Sequence, residues 1–238
     1  MLSVKPWRAE ALLFFGAVQL LSVCLGVMVT LLLQKLGVPG FKDEYDFGFI
    51  LLSTLSMQGV ACVLIGFFLH YHGVSWLDEL GFRKKRWLRS LLLMLGVVIF
   101  IMPVSHLLQA LSISLMEKIH WAPQTEEAVD LVTNATAMWT QIYLAFFAIV
   151  LAPVAEEFVF RGVLYPYFNQ RGFHKLAWIG VNLVFAFIHG NAADFIPLFV
   201  LALALTWLYE TTDNLLMPIF AHAAFNAANL VLLKYAMQ

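Results

Sequence analysis

Charge is what this chain has least of. Only 12% of its 238 residues are Asp, Glu, Lys or Arg, while 62% are hydrophobic and mean hydropathy is +0.84. A soluble domain carries about 25% charged and about 45–50% apolar residues. The deficit excludes an ordinary soluble domain and points to an integral membrane protein. Cysteine is scarce too: Cys24 and Cys62 lie in apolar segments without the spacing of a zinc site, so we expect no disulfide framework and two small core residues. Several catalytic signatures are also missing. No His is followed by Glu, which removes the His-Glu-x-x-His zinc helix, and there is no Gly-x-Ser-x-Gly elbow, Gly-x-Ser-Gly motif, Gly-x-Gly-Asp motif or phosphate loop. Nothing suggests nucleic-acid binding.

What remains is apolar runs. A bilayer is crossed by about 20 apolar residues, and candidate spans run near 11–33, 47–69, 90–115, 139–160, 175–190, 194–209 and 214–234. The first is longer than the apolar region of a signal peptide and no small-residue cleavage site clearly follows it, so it reads as an uncleaved span. The fifth and sixth are short and separated by His189-Gly190-Asn191, either two short helices or a broken pair meeting at depth. The expected fold is all-α: a polytopic integral membrane helical bundle of about 7–8 transmembrane helices, one transmembrane domain over 1–238.

The few charges set an orientation. Lys5 and Arg8 precede the first span, and Arg83, Lys84, Lys85, Arg86 and Arg89 precede the third. Two crossings separate these clusters, so both share a face, cytoplasmic by the positive-inside rule. Glu117, Glu126, Glu127 and Asp130 fall on the opposite side; Arg171, His174 and Lys175 return to the first. The stretch from Val74 to Trp87 mixes tryptophan, aliphatics and bases; an interfacial helix on an anionic leaflet and an ordinary basic loop fit it equally. Asn134-Ala-Thr136 matches a glycosylation sequon on the outer side.

Against that background, Glu156 and Glu157 stand out inside Val150-Leu-Ala-Pro-Val-Ala-Glu-Glu-Phe-Val-Phe-Arg161. A carboxylate at membrane depth is costly, and such residues mark function by default. Arg161 follows Glu157 by one helical turn and supplies its partner. Glu156 lies about 100° round the helix with no local partner, which makes it a general-base candidate. Pro153 should disturb the helix beside it. His189 ends Phe185-Ala-Phe-Ile-His189, and His222 and Asn226 share one face of the last span among small alanines. Each taken alone also reads as packing: a satisfied core histidine, or hydrogen-bond glue between helices. Depth argues for more. At about 1.5 Å per residue, Glu156, His189, His222 and Asn226 reach overlapping levels roughly 12–22 Å from the cytoplasmic helix ends. His70, His72, His106, His120 and His174 lie at span ends or in loops and carry no such argument.

Glu156-Glu157-x-x-x-Arg161, Phe185-x-x-x-His189 and His222-x-x-x-Asn226, in that order over roughly 139–234, resemble the CAAX protease and bacteriocin-processing (Abi) family of intramembrane endopeptidases. Before residue 139 the likeness is confined to hydropathy and Glu79-Leu-Gly-Phe82. The resemblance implies a helical membrane core with a cytoplasm-facing cavity and peptide-bond hydrolysis. Glu156 would activate water with help from His189, His222 and Asn226 would stabilise the oxyanion, and Glu157 and Arg161 would hold Glu156 in place. We expect no metal, with zinc on Glu156, His189 and His222 as the alternative. The expected partners are the lipid bilayer and a peptide or protein substrate, lipidated or otherwise membrane-associated. The expected location is a prokaryotic inner membrane with the N-terminus cytoplasmic. A non-catalytic peptide-binding or bacteriocin-immunity protein is the alternative function. A transporter or channel is a third, against which the charges cluster at one level rather than crossing the bilayer.

Overall fold

The computed structural model describes residues 2–82, 87–122, 127–135 and 137–236. Arg83, Lys84, Lys85, Arg86, Glu126 and Thr136, which entered the orientation and sequon arguments, lie outside them. Among the described residues every regular element is helical.

Six helices are long and apolar enough to cross a membrane. They are α1 (Ala9–Lys35), α2 (Phe47–Tyr71), α4 (Trp87–Lys118), α6 (Met138–Asn169), α8 (Phe195–Thr212) and α9 (Leu216–Tyr235). Between them lie the short α3 (Trp76–Leu80), α5 (Glu127–Asn134) and α7 (Leu176–Phe187). The polytopic helical fold is as the sequence suggested. The shortfall is at the fifth span: α7 rises only about 18 Å, less than a hydrocarbon core of about 30 Å. The pair is thus two helices of unequal length, joined by a turn in which Gly190 takes φ +68°. That left-handed conformation suits glycine, and the turn carries His189 away from α7's end.

Burial is uneven. The core lies among α4, α6, α7, α8 and α9, with Ile65, Phe68 and Leu69 added from α2. One cluster joins Phe158, Phe160, Tyr165 and Phe185 to Tyr209, Leu215 and Ile219. Another joins Met94 and Ile101 to Leu201, Leu205, Met217 and Ala221. α1 and α2 flank this core, their outer faces studded with exposed leucine, valine and phenylalanine as lipid contact requires.

The segment from Val74 onward is more than an interfacial helix. α3 is a single turn, capped by Ser75, whose Oγ accepts from the Asp78 N–H. Its Glu79 is buried and accepts from Lys5 Nζ at 2.6 Å. Gly81 (φ +84°) lies so close to Asn214 that a Cβ there would come within 2.7 Å of Asn214 Oδ1. Asn214 donates to the Gly81 carbonyl (3.3 Å) and accepts from the Leu216 N–H (3.0 Å). Glu79-Leu-Gly-Phe82 therefore docks on the start of α9, the helix that carries His222. Trp7 Nε1, donating to the Gly162 carbonyl at 2.8 Å, ties the N-terminal arm to α6.

Candidate active site

Pro153 shapes the helix that carries the glutamates. Without an N–H it cannot complete a backbone bond, and α6 answers with a widened π-turn over Phe147–Leu151. The Ala152 N–H reaches back to the Phe147 carbonyl, which leaves the Ala148 carbonyl without a helical donor. Asn226 Nδ2 fills the gap at 2.8 Å. A second widened turn, Phe158–Leu164, follows the glutamates. Single-turn π-bulges inside α-helices are frequent at functional sites.

The two glutamates occupy different surroundings. Glu157 is fully buried; its Oε1 accepts from Arg161 Nη1 and from His222 Nδ1, both at 2.9 Å. Its Oε2 has no hydrogen-bond partner among the described residues. Glu156 keeps 18% of its side chain exposed, and its Oε2 lies 3.9 Å from His222 Nε2. The His222 ring thus bridges the two carboxylates. A carboxylate acceptor at Nδ1 puts a proton on that nitrogen and turns Nε2 toward Glu156.

His189 follows the same logic. Its Nδ1 contacts the Phe185 carbonyl at 2.7 Å, which assigns that nitrogen the proton and leaves Nε2 uncommitted. Glu156 interacts electrostatically with His222 and His189 as well as with Glu157 and Arg161. Phe185 stands between the two imidazoles, its ring centroid 4.9 Å from that of His189 and 5.9 Å from that of His222. Glu156, Glu157, Arg161, His189 and His222 therefore gather into one cluster. Asn226 borders it through the Ala148 carbonyl. The hydrogen bonds of Glu157 run to Arg161 and His222, so this carboxylate holds the histidine rather than its neighbouring glutamate.

Arg161 is anchored by residues that sequence reasoning passed over. It is fully buried, with Nη2 donating to the Ala202 carbonyl (2.8 Å) and Asn182 Oδ1 (3.3 Å), and Nε to Thr206 Oγ1 (3.4 Å). Its guanidinium lies 4.8 Å from the Phe185 ring centre. A guanidinium has five N–H donors, and Glu157 alone could not satisfy them; that excess was the available signal. Asn182 and Thr206, uncharged, sit inconspicuously in apolar helices.

Among the described residues no group of three or more His, Cys, Asp or Glu side chains is arranged to hold a metal ion. Grooves of roughly 700 Å³ between α1 and α2 and roughly 390 Å³ beside Lys5 and Glu79 lie elsewhere, and neither glutamate of the cluster lines them.

Fold and site together define a polytopic helical membrane protein with a partly buried Glu-Glu-Arg, His and His-Asn constellation drawn from two helices and one turn. Residues 138–228 match the family model described as type II CAAX prenyl endopeptidase Rce1-like. A relative over more of the chain is the UPF0177 protein YxdF of Lactococcus lactis subsp. lactis (strain IL1403). It is 23% identical over 158 residues, covering 64% of this chain and 84% of that protein. No solved structure gives a significant match.

Proposed function

We propose that this protein is a membrane-embedded endopeptidase in which Glu156 is the general base. The observation that carries the reading is the His222 imidazole set between a buried carboxylate and a partly exposed one. Glu157 fixes its tautomer, and Glu156, the partly exposed member, faces its free edge. Glu156 takes a proton from water as the water oxygen bonds to the scissile carbonyl carbon. The tetrahedral oxyanion is met by Asn226, whose amide has a second N–H beyond the one donated to Ala148, and by His222 Nε2 when the ring carries a proton on both nitrogens. His189 Nε2 accepts from the attacking water and orients it. Glu156 then delivers its proton to the departing amine as the C–N bond breaks. Arg161 and Glu157 keep His222 in place throughout.

The reaction needs no metal in this scheme. The substrate is a peptide or protein, lipidated or otherwise membrane-associated, as the family description of residues 138–228 suggests. The basic N-terminal face, with Lys5, Arg8 and Arg171, lies in the cytoplasm, in a prokaryotic inner membrane.

The test is hydrolysis of a prenylated CAAX peptide in proteoliposomes, read by mass spectrometry of the released fragment. Glu156→Gln keeps its fold and loses on the order of 10²–10⁴ in rate, the usual worth of a positioned base. Chelation leaves the wild-type rate unchanged. Normal turnover by the glutamine variant would overturn the reading, and stoichiometric zinc with chelator-sensitive turnover would overturn its metal-free form. A biological phenotype that survives Glu156→Gln would point instead to peptide binding or immunity.

A further inference from the structure

The buried scaffold behind the site does more than neutralise Arg161. Its polar groups form a closed ring: Arg161 Nε donates to Thr206 Oγ1, Thr206 Oγ1 donates to Asn182 Oδ1 at 2.9 Å, and Arg161 Nη2 donates to the same Asn182 oxygen. Asn182 is itself pinned, its Nδ2 donating to the Trp178 carbonyl at 2.7 Å. Arg161, Asn182 and Thr206 are fully buried and come from α6, α7 and α8 respectively. On the opposite side, Arg161 Nη1 shares Glu157 Oε1 with His222 Nδ1. One carboxylate oxygen therefore couples the ring to the imidazole. A guanidinium is a rigid planar fork, so the ring that sets its edge also sets where Nη1 can meet Glu157.

We propose that Asn182 and Thr206 are positioning residues for His222, acting through Arg161 and Glu157. The proposal rests on the hydrolase reading for its kinetic consequence but not for its structural one. When the Thr206 hydroxyl or the Asn182 amide is lost, the guanidinium turns to find another acceptor. Glu157 Oε1 follows, and His222 Nε2 shifts relative to Glu156. A misplacement of about 1 Å by a substitution away from the chemistry can cost on the order of 10²-fold in rate.

Thr206→Val, which exchanges a hydroxyl for a methyl, is the principal variant, and Asn182→Leu is the second. In proteoliposomes each lowers kcat per folded molecule by about 10-fold to 10²-fold and leaves KM near its wild-type value. Thr206→Ser, which keeps the hydroxyl, restores kcat. In a His222→Ala background Thr206→Val removes nothing further, because residues acting as one unit are not additive. A purely structural pair would instead lower the folded fraction at constant kcat, or subtract equally in both backgrounds, and either result overturns the proposal. A readout independent of turnover separates it from the hydrolase reading. With ¹⁵N-labelled histidine in nanodiscs, Thr206→Val alters the His222 Nδ1–H resonance and Thr206→Ser returns it. An unaltered resonance overturns the proposal whether or not the protein cleaves peptides. If Asn182→Leu does not fold, Thr206→Val decides alone.

Discussion

α1 and the pair α8 and α9 are all apolar enough to span a bilayer, yet they use their surfaces in opposite ways. α1 buries 6% of its most apolar window, whereas α8 and α9 bury 39% of theirs. The first helix leaves most of its surface exposed and packs along one face against α2. There Gly26 comes up against Ser56, Ser22 Oγ donates to the Ser56 carbonyl (2.8 Å), and Gln19 Nε2 donates to the Met57 carbonyl (2.8 Å). The later helices enclose Arg161, Asn182, Thr206 and His222, polar groups that must find every partner within protein. Since lipid tails are as apolar as leucine, hydrophobicity does not hold helices together inside a membrane. Close packing and satisfied polar groups do, and these concentrate around the candidate site.

The sharpest way to break that contrast is Arg161→Met. It leaves the Glu157 carboxylate buried without its cation and should cost about 3–5 kcal/mol, read by unfolding in detergent against wild type. A loss comparable to that of a lipid-facing substitution would mean that the polar interior does not hold the core together. A smaller effect belongs to the α1 seam, where Gly26→Val puts a Cβ within 2.4 Å of Ser56 Oγ and must push the helices apart. Overpacking of this kind costs about 1–3 kcal/mol. It should loosen α1, seen as faster proteolysis at its ends, with turnover per folded molecule unchanged. The smallest effect is Leu20→Ala on the same helix: Leu20 is exposed to lipid, and its truncation should stay within about 0.5 kcal/mol. Equal costs at Gly26 and Leu20 would remove the seam from the account of how α1 is held.

The glutamates, the arginine and both histidines could be found from the sequence because ionisable groups are conspicuous against an apolar background. Spans could be counted for the same reason, and the break after α7 was visible as His189-Gly190-Asn191. Three features were hidden. Glu79 looked like part of an interfacial stretch, but its burial depends on Lys5 arriving from the N-terminal arm. Asn182 and Thr206 carry no charge and gain meaning only when helix crossings bring them to the guanidinium. Asn226 looked like an oxyanion donor or helix glue; its bond to Ala148 exists because Pro153 and a widened turn freed that carbonyl.

Composition and spacing alone determined that this chain is a helical membrane protein and which ionisable residues lie within its spans, because the free energy of moving a charge into hydrocarbon is large and local. Tertiary structure alone decided that Glu157 grips His222 while Glu156 stays partly exposed, and that Asn182 and Thr206 lock Arg161. Those contacts join residues far apart in the chain. They depend on how helices cross and turn against one another, which no run of amino acids read along its length contains.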